Sequence, residues 1–99
     1  MQNNMKYQLT LQFPTAEIED CDRLLSIELQ LITLLGDEHK VEGHELGAEE
    51  LNIFIHTDDP NGVFDIVKNS LTPVELETMK AAFREMSGET NTTVWPKAR

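Results

Sequence analysis

Apolar and polar residues alternate along the chain with the two-residue period of β-strands. The most regular stretch, residues 51–57, is filled with β-branched and aromatic side chains, which favour extended backbone. Residues 7–13 alternate equally well, and Pro14 ends that strand. Residues 40–46 form a weaker stretch that is polar enough to be an edge, and residues 91–95 form a last short strand. The pattern therefore predicts four strands.

A long helix is predicted between the first two strands, over about residues 17–35. Thr15 opens it, acidic residues crowd the first turns where the helix dipole favours anions, and Gly36 ends it. Its apolar arc covers more than half of the circumference, which exceeds what one sheet face can bury, so the third helix or another subunit must cover the excess. Glu28 lies near the middle of that arc. It is either an acid with a perturbed pKa or a side chain that reaches the rim and pairs there.

Two shorter helices are predicted in the second half of the chain. Asp58-Asp59-Pro60 starts the first, with a carboxylate to cap the free N–H groups and a proline preset for the first turn. Thr72-Pro73 starts the second, with Glu75 at the capping-box position. Helical spacing of apolar residues continues through Met86, so we expect this helix to stop at Gly88.

The order of these elements, β-α-β-β-α-(α)-β, predicts an α+β fold of the ferredoxin-like split βαβ type. The expected sheet is four-stranded and antiparallel with strand order 4-1-3-2, and the helices cover one face. The two most regular strands then lie in the centre. Ninety-nine residues suffice for one core, so residues 1–99 are predicted to form a single ferredoxin-like domain.

The other face of the predicted sheet carries the even-numbered residues of the two central strands. Phe54 lies at its centre among uncharged amides, and such a face can bind a ligand or pair with a second sheet. In the alternative, Trp95 or the N-terminal tail covers Phe54. Gly47 permits a bulge that leaves the register of the second strand, and so the face of His44, open. The predicted binding residues are Gln8, Thr10, Gln12, His44, Asn52, Phe54, His56 and Trp95.

Composition narrows the possible partners. Eighteen acidic residues against eight Lys and Arg give a net charge of −10, which argues against a general nucleic-acid binder and against docking on anionic membranes. A basic protein partner, a cation or a small neutral ligand remains open. Cys21 is the single cysteine, no apolar run has membrane-spanning length, and the polar N-terminus lacks a signal-peptide core. We therefore expect a cytoplasmic protein.

Catalytic and metal-binding patterns are absent from the sequence. His39, His44 and His56 lie among acidic residues around the predicted hairpin, but no close-spaced ligand pair such as HxH or HxxxH occurs. A solvated acidic rim is the simpler interpretation. There is no Gly-rich phosphate loop, no GxSxG and no CxxC. The sequence predicts no cofactor, no metal ion and no catalytic set.

Two segments, residues 42–60 and 94–96, carry a resemblance to known sequences. With their GHE-x-G-x-x-E-x-NIFI-x-TDDP core and C-terminal VWP, they resemble a group of small uncharacterised bacterial proteins. From the first to the last of these residues the resemblance spans about half of the chain, and the two segments themselves comprise 22 of the 99 residues. It implies a bacterial cytoplasmic origin and supplies no catalytic residues.

Two functional hypotheses follow. The first is a non-catalytic binding or interaction domain that acts as a homodimer through the open sheet face, or as the acidic partner of another protein. The second is a small enzyme that uses the same face, with His56 or His44 as general base. An enzyme needs a concave pocket around a titratable group, whereas a flat open face favours the first hypothesis.

Overall fold

The computed structural model describes residues 5–15 and 18–96, and it confirms the predicted α+β class. The strands are β1 (Tyr7–Pro14), β2 (Lys40–Leu46), β3 (Glu50–Thr57), β4 (Lys80–Glu85) and β5 (Thr92–Trp95). The helices are α1 (Ile18–Leu35), α2 (Pro60–Lys68) and α3 (Pro73–Thr78). The predicted start of the long helix near residues 16–17 lies outside the described residues.

The strands form one antiparallel sheet in the order β2-β3-β1-β4-β5. β1 and β3 pair with each other, as predicted. The predicted count of four strands is wrong, and so is the position given to residues 91–95 beside the first strand. β4 takes that place, and β5 pairs with the outer side of β4.

The extra strand comes from the region that was predicted to continue the third helix. That helix ends at Thr78, and the next residues pair with β1. Met79, Ala81 and Phe83 alternate with polar or small residues, so the segment also has the strand period, and Met79 and Ala81 are buried. Pairing with β4 gives hydrogen-bond partners to the backbone N–H and C=O groups on one side of β1. If residues 80–85 were helical, these groups would stay unpaired at the centre of the sheet. This long-range gain outweighs the local helical spacing.

The hydrophobic core lies between the sheet and the helices. Leu9, Leu11, Ile53 and Ile55 are fully buried on the helix side of β1 and β3, which confirms their predicted direction. They form one cluster with the inward residues of α1 and α2. The described part of the chain contains no helix that is long and apolar enough to cross a membrane.

α1 has more apolar surface than the sheet buries, as the sequence predicts. Leu24, Ile27, Leu31 and Leu35 face the core. Among the α1 residues whose side chains the structure describes, three other apolar residues are half or more exposed: Leu29 (67%), Ile32 (50%) and Leu34 (50%).

Local signals place the helix ends. The Asp59 carboxylate accepts a hydrogen bond from the Gly62 N–H at 3.0 Å, so the predicted helix cap is confirmed. Thr72 and Glu75 form the predicted capping box at the start of α3. Gly36 ends α1 with a φ of 61°, a left-handed conformation that glycine adopts without steric cost.

Candidate functional site

The open face, defined as the sheet face away from the helices, consists of three rows of side chains that cross the strands. The Asn52 row runs Glu45, Asn52, Gln12, Lys80 from β2 to β4. The Phe54 row runs Gly43, Phe54, Thr10, Ala82, Thr93 from β2 to β5. The His56 row runs Lys40, His56, Gln8, Arg84 from β2 to β4. Six of the eight predicted binding residues, all those on β1 and β3, therefore share this face.

A groove of about 570 Å³ crosses the open face at the Asn52 and Phe54 rows. Thr10 and Ala82 line the groove with small side chains, which leaves a hollow at this point. Phe54 stands on one side, and the segment of β5 with Pro96 lies on the other. The lining residues are Thr10, Gln12, Glu45, Asn52, Phe54, Lys80, Ala81, Ala82, Asn91, Thr93, Trp95 and Pro96.

Asn52 lines the groove with an unsatisfied polar atom. Its Oδ1 is buried and has no hydrogen-bond partner among the described residues. Its Nδ2 donates to Glu50 Oε2 at 3.4 Å. The opposite orientation of the amide, with its oxygen and nitrogen exchanged, would place the amide oxygen against this carboxylate oxygen and is therefore unfavourable. A buried acceptor without a donor costs roughly 1–3 kcal/mol. A bound group that supplies an N–H or O–H at this point would recover that energy.

Opposite charges occupy the two ends of the Asn52 row. Glu45 is exposed on β2, and Lys80 is exposed on β4. Three strand spacings of about 4.8 Å separate their backbones, so the two side chains stand roughly 14 Å apart across the groove. Between them lie two neutral amides, Asn52 and Gln12.

His56 lies one row beyond Phe54 and is tied to its neighbours. Its Nε2 donates to Gln8 Oε1 at 3.2 Å, and its Nδ1 lies 3.6 Å from Glu42 Oε2. The same Glu42 oxygen lies 3.2 Å from Lys40 Nζ. His56 does not line the groove.

His44 does not lie on the open face, which corrects its place in the predicted set. The bulge lies between Val41 and Gly43 rather than at Gly47, and Gly43 has a φ of 148° that favours glycine. The extra residue turns His44 to the helix side, opposite Ile53. There its Nδ1 donates to Glu28 Oε1 at 2.9 Å. Glu28 thus has a partner at the rim, which is one of the two alternatives that its place on the apolar arc allows.

Trp95 lines the groove, but its predicted place on the open face is a second correction. Its indole ring packs against Phe64 of α2 with ring centroids 5.8 Å apart, and its Nε1 donates to the Leu76 carbonyl at 2.7 Å. Both contacts lie on the helix side. The register shift of β5 at Ala81–Ala82 explains why Val94 and Trp95 do not alternate across the sheet. Trp95 therefore closes one end of the groove without covering Phe54.

Two displaced pKa values occur at the junction of α1 and α3, away from the open face. The Arg23 guanidinium donates to both carboxylate oxygens of Glu75, at 2.6 and 3.0 Å. These bonds, with a backbone bond from Thr72, hold the pKa of Glu75 below its ordinary value against the opposing effect of burial. The same pairing raises the pKa of Arg23. The arrangement fixes α3 to α1.

Seven of the twelve groove residues are absent from the predicted set: Glu45, Lys80, Ala81, Ala82, Asn91, Thr93 and Pro96. Lys80 and Ala82 lie in the segment that was predicted as helix, and Glu45 lies beyond the bulge. The alternation around Met79 and Ala81 is the signal that could have found the strand. Within the described residues, no group of three or more His, Cys, Asp or Glu is placed to hold a metal ion.

Comparison with protein-family models, with curated proteins and with solved structures gives no match for this chain.

Proposed function

We propose that the protein is a non-catalytic, cytoplasmic interaction domain that forms a homodimer through the open face. Its fold is then a ferredoxin-like split βαβ unit, formed by β1 to β4 and extended by β5. The observation that carries the proposal is the Asn52 row, in which an acid and a base stand at opposite ends of an uncharged, grooved centre. Such a surface is complementary to itself.

The order of the strands defines how two copies can meet. We place the two-fold axis parallel to the strands and between β1 and β3. Each row of one copy then lies over the same row of the other copy, and the strands of the two copies follow each other across the interface in opposite order. β3 then lies over β1 of the second copy, and β2 lies over β4. Packed sheets whose strands stay within about 30° of each other are a common arrangement.

Each groove feature finds a counterpart in this arrangement. Phe54 lies over the hollow at Thr10 and Ala82, and the amide side chain of Asn52 lies over that of Gln12. At the end of the row, Glu45 meets Lys80 of the second copy. An axis perpendicular to the strands and along the Asn52 row would instead bring like residues together, with Glu45 over its own copy.

The size of the face sets the strength of the dimer. Four strands about 4.8 Å apart and six residues of about 3.4 Å each give a face of roughly 400 Å² per copy. Stable interfaces bury about 800 Å² per partner, so this contact belongs with the weak, transient ones. We expect a dissociation constant on the order of 10–100 μM.

The enzyme hypothesis gains little support from the groove. Glu45 and Lys80 are the titratable residues that line it, and His39, His44 and His56 all lie elsewhere. A histidine general base within reach of a bound substrate is therefore not part of this proposal.

A charge exchange tests the proposal. Glu45→Lys and Lys80→Glu should each weaken the dimer about thirtyfold, because each variant loses two symmetric ion pairs and gains two repulsions. The double variant restores opposite charges, as does an equal mixture of the two single variants. Both should dimerise within about threefold of the wild type, as measured by sedimentation velocity at high micromolar concentration.

The matched control is Glu77→Lys, which makes the same charge change on α3 and should leave the dimer unchanged. If the double variant stays monomeric while both single variants fold normally, the parallel-axis dimer is wrong. If neither single variant changes the association, the open face is not the interface.

A further inference from the structure

Strand β2 is the longer free edge of the sheet. Within residues 5–15 and 18–96 it pairs with β3 alone; it has seven residues, whereas β5 at the opposite edge has four. Five of the β2 residues are exposed, and Val41 and Gly43 are half-buried. An edge strand presents a row of N–H and C=O groups on its outer side, and these can pair with an extended segment of another protein.

An apolar strip lies beside this edge on the helix side. Leu25 and Ile32 are seven residues apart and so lie along one side of α1; we call them the α1 strip. Glu28 is on the same side of the helix, and its bond to His44 shows that this side is the one next to β2. Leu46, at the end of β2, extends the apolar surface and is 58% exposed.

The open side of the same edge is acidic. Glu42 contacts His56 and Glu45 pairs with Asn52, which places both on the open face. Residues 37–50 contain six acidic residues against one lysine. The two sides of β2 therefore differ in chemistry: apolar towards α1 and negative towards the open face.

We infer that the β2 edge binds an extended segment of a partner protein in which apolar and basic residues alternate. Successive side chains of an added strand point to opposite faces of the sheet. Its apolar side chains then lie on the α1 strip and Leu46, and its basic side chains meet Glu42, because Glu45 pairs with Lys80 across the proposed dimer. A second copy of this chain is disfavoured here, because two β2 edges related by a two-fold axis bring their acidic residues together.

The binding of synthetic peptides tests the inference. The probe is a fluorescein-labelled octapeptide that alternates valine and lysine, and its binding is followed by fluorescence anisotropy at low salt. One control has the same composition with the four lysines in one block, and a second alternates valine and glutamate. The alternating basic peptide should bind at least about tenfold more tightly than either control, because only its pattern matches both sides of the edge.

Variants of the protein locate the site. Ile32→Ala should weaken peptide binding about fivefold through lost apolar contact, and Leu46→Ala gives a second, independent variant of the apolar surface. The matched control is Leu34→Ala: Leu34 is on the same helix and 50% exposed, but it lies on the opposite side from Glu28. Glu42→Gln should weaken binding about twofold to threefold. Phe54→Ala, which disrupts the proposed dimer, should leave peptide binding unchanged.

Four outcomes would overturn the inference. They are no detectable binding, equal binding of the blocked-lysine peptide, equal effects of Ile32→Ala and Leu34→Ala, and loss of binding in Phe54→Ala. The backbone amides of residues 40–46 should also gain protection from hydrogen exchange when the peptide binds, and unchanged exchange there would contradict strand addition.

Discussion

Replacing Glu75 by glutamine should destabilise the fold through the link between α1 and α3. The Glu75 carboxylate accepts two hydrogen bonds from Arg23 and one from the Thr72 N–H at 2.9 Å. Its side chain is 18% exposed and that of Arg23 is 40% exposed, so solvent screens the pair only in part. Glutamine keeps one oxygen that accepts from the Thr72 N–H, so the cap remains and the loss is that of the ion pair, about 1 kcal/mol. For a domain of this size, that loss lowers Tm by roughly 4–8 °C.

The pH dependence of the free energy of unfolding shows whether the Arg23–Glu75 pair causes this loss of stability. The pKa of Glu75 is lower in the folded state than its ordinary value of 4.5, first because of the Arg23 hydrogen bond. Its contribution is therefore complete above pH 4.5 and is lost as the pH falls through the folded-state pKa. The difference in the free energy of unfolding between wild type and Glu75→Gln should be constant from pH 7 to 5 and shrink below.

Urea unfolding followed by circular dichroism measures this difference at each pH, and Glu77→Gln on the same helix is the control. Equal stabilities of the two variants, or a difference that does not change down to pH 3, would refute the assignment of this energy to the Arg23–Glu75 pair.

Two further predictions concern the start of α2. Asp59→Ala should lower the free energy of unfolding by about 1 kcal/mol, because the Gly62 N–H loses its capping acceptor, and denaturant unfolding that shows no loss would contradict this role. Gly62→Ala should gain little or lose stability in the wild type, because the new Cβ would meet the Asp59 carboxylate. In the Asp59→Ala background the same change should stabilise the fold by about 0.5–1 kcal/mol, the usual gain of Ala over Gly within a helix. Equal effects of Gly62→Ala in both backgrounds would show that the new Cβ does not meet the Asp59 carboxylate.

Local chemistry was enough to predict much of the fold. The period of β1 and β3, the Asp59 cap, the capping box of Thr72 and Glu75, and the Gly36 stop all act within a few residues, and each is found where the sequence indicates. The alternation of apolar and polar residues in β1 and β3 also identified six residues of the open face. These features depend on backbone geometry that neighbouring residues fix.

The errors arose where distant contacts decide the structure. Residues 80–85 carry both helical and strand spacing, and the free side of β1 selects the strand. The bulge at Gly43 depends on a conformation that any glycine allows, so the sequence could not choose between Gly43 and Gly47. That choice sets the face of His44. The register shift in β5 likewise moved Trp95 to the helix side.

The central claim is that the open face around Phe54 joins two copies of the chain, and sedimentation equilibrium from 10 μM to 1 mM tests it most directly. The wild type should pass from monomer mass towards dimer mass over this range, and Leu34→Ala should follow the same curve. Phe54→Ala should remain at monomer mass throughout, because the ring no longer fills the hollow over Thr10 and Ala82. A wild type that stays monomeric at 1 mM, or a Phe54→Ala variant that dimerises as the wild type does, would contradict the claim.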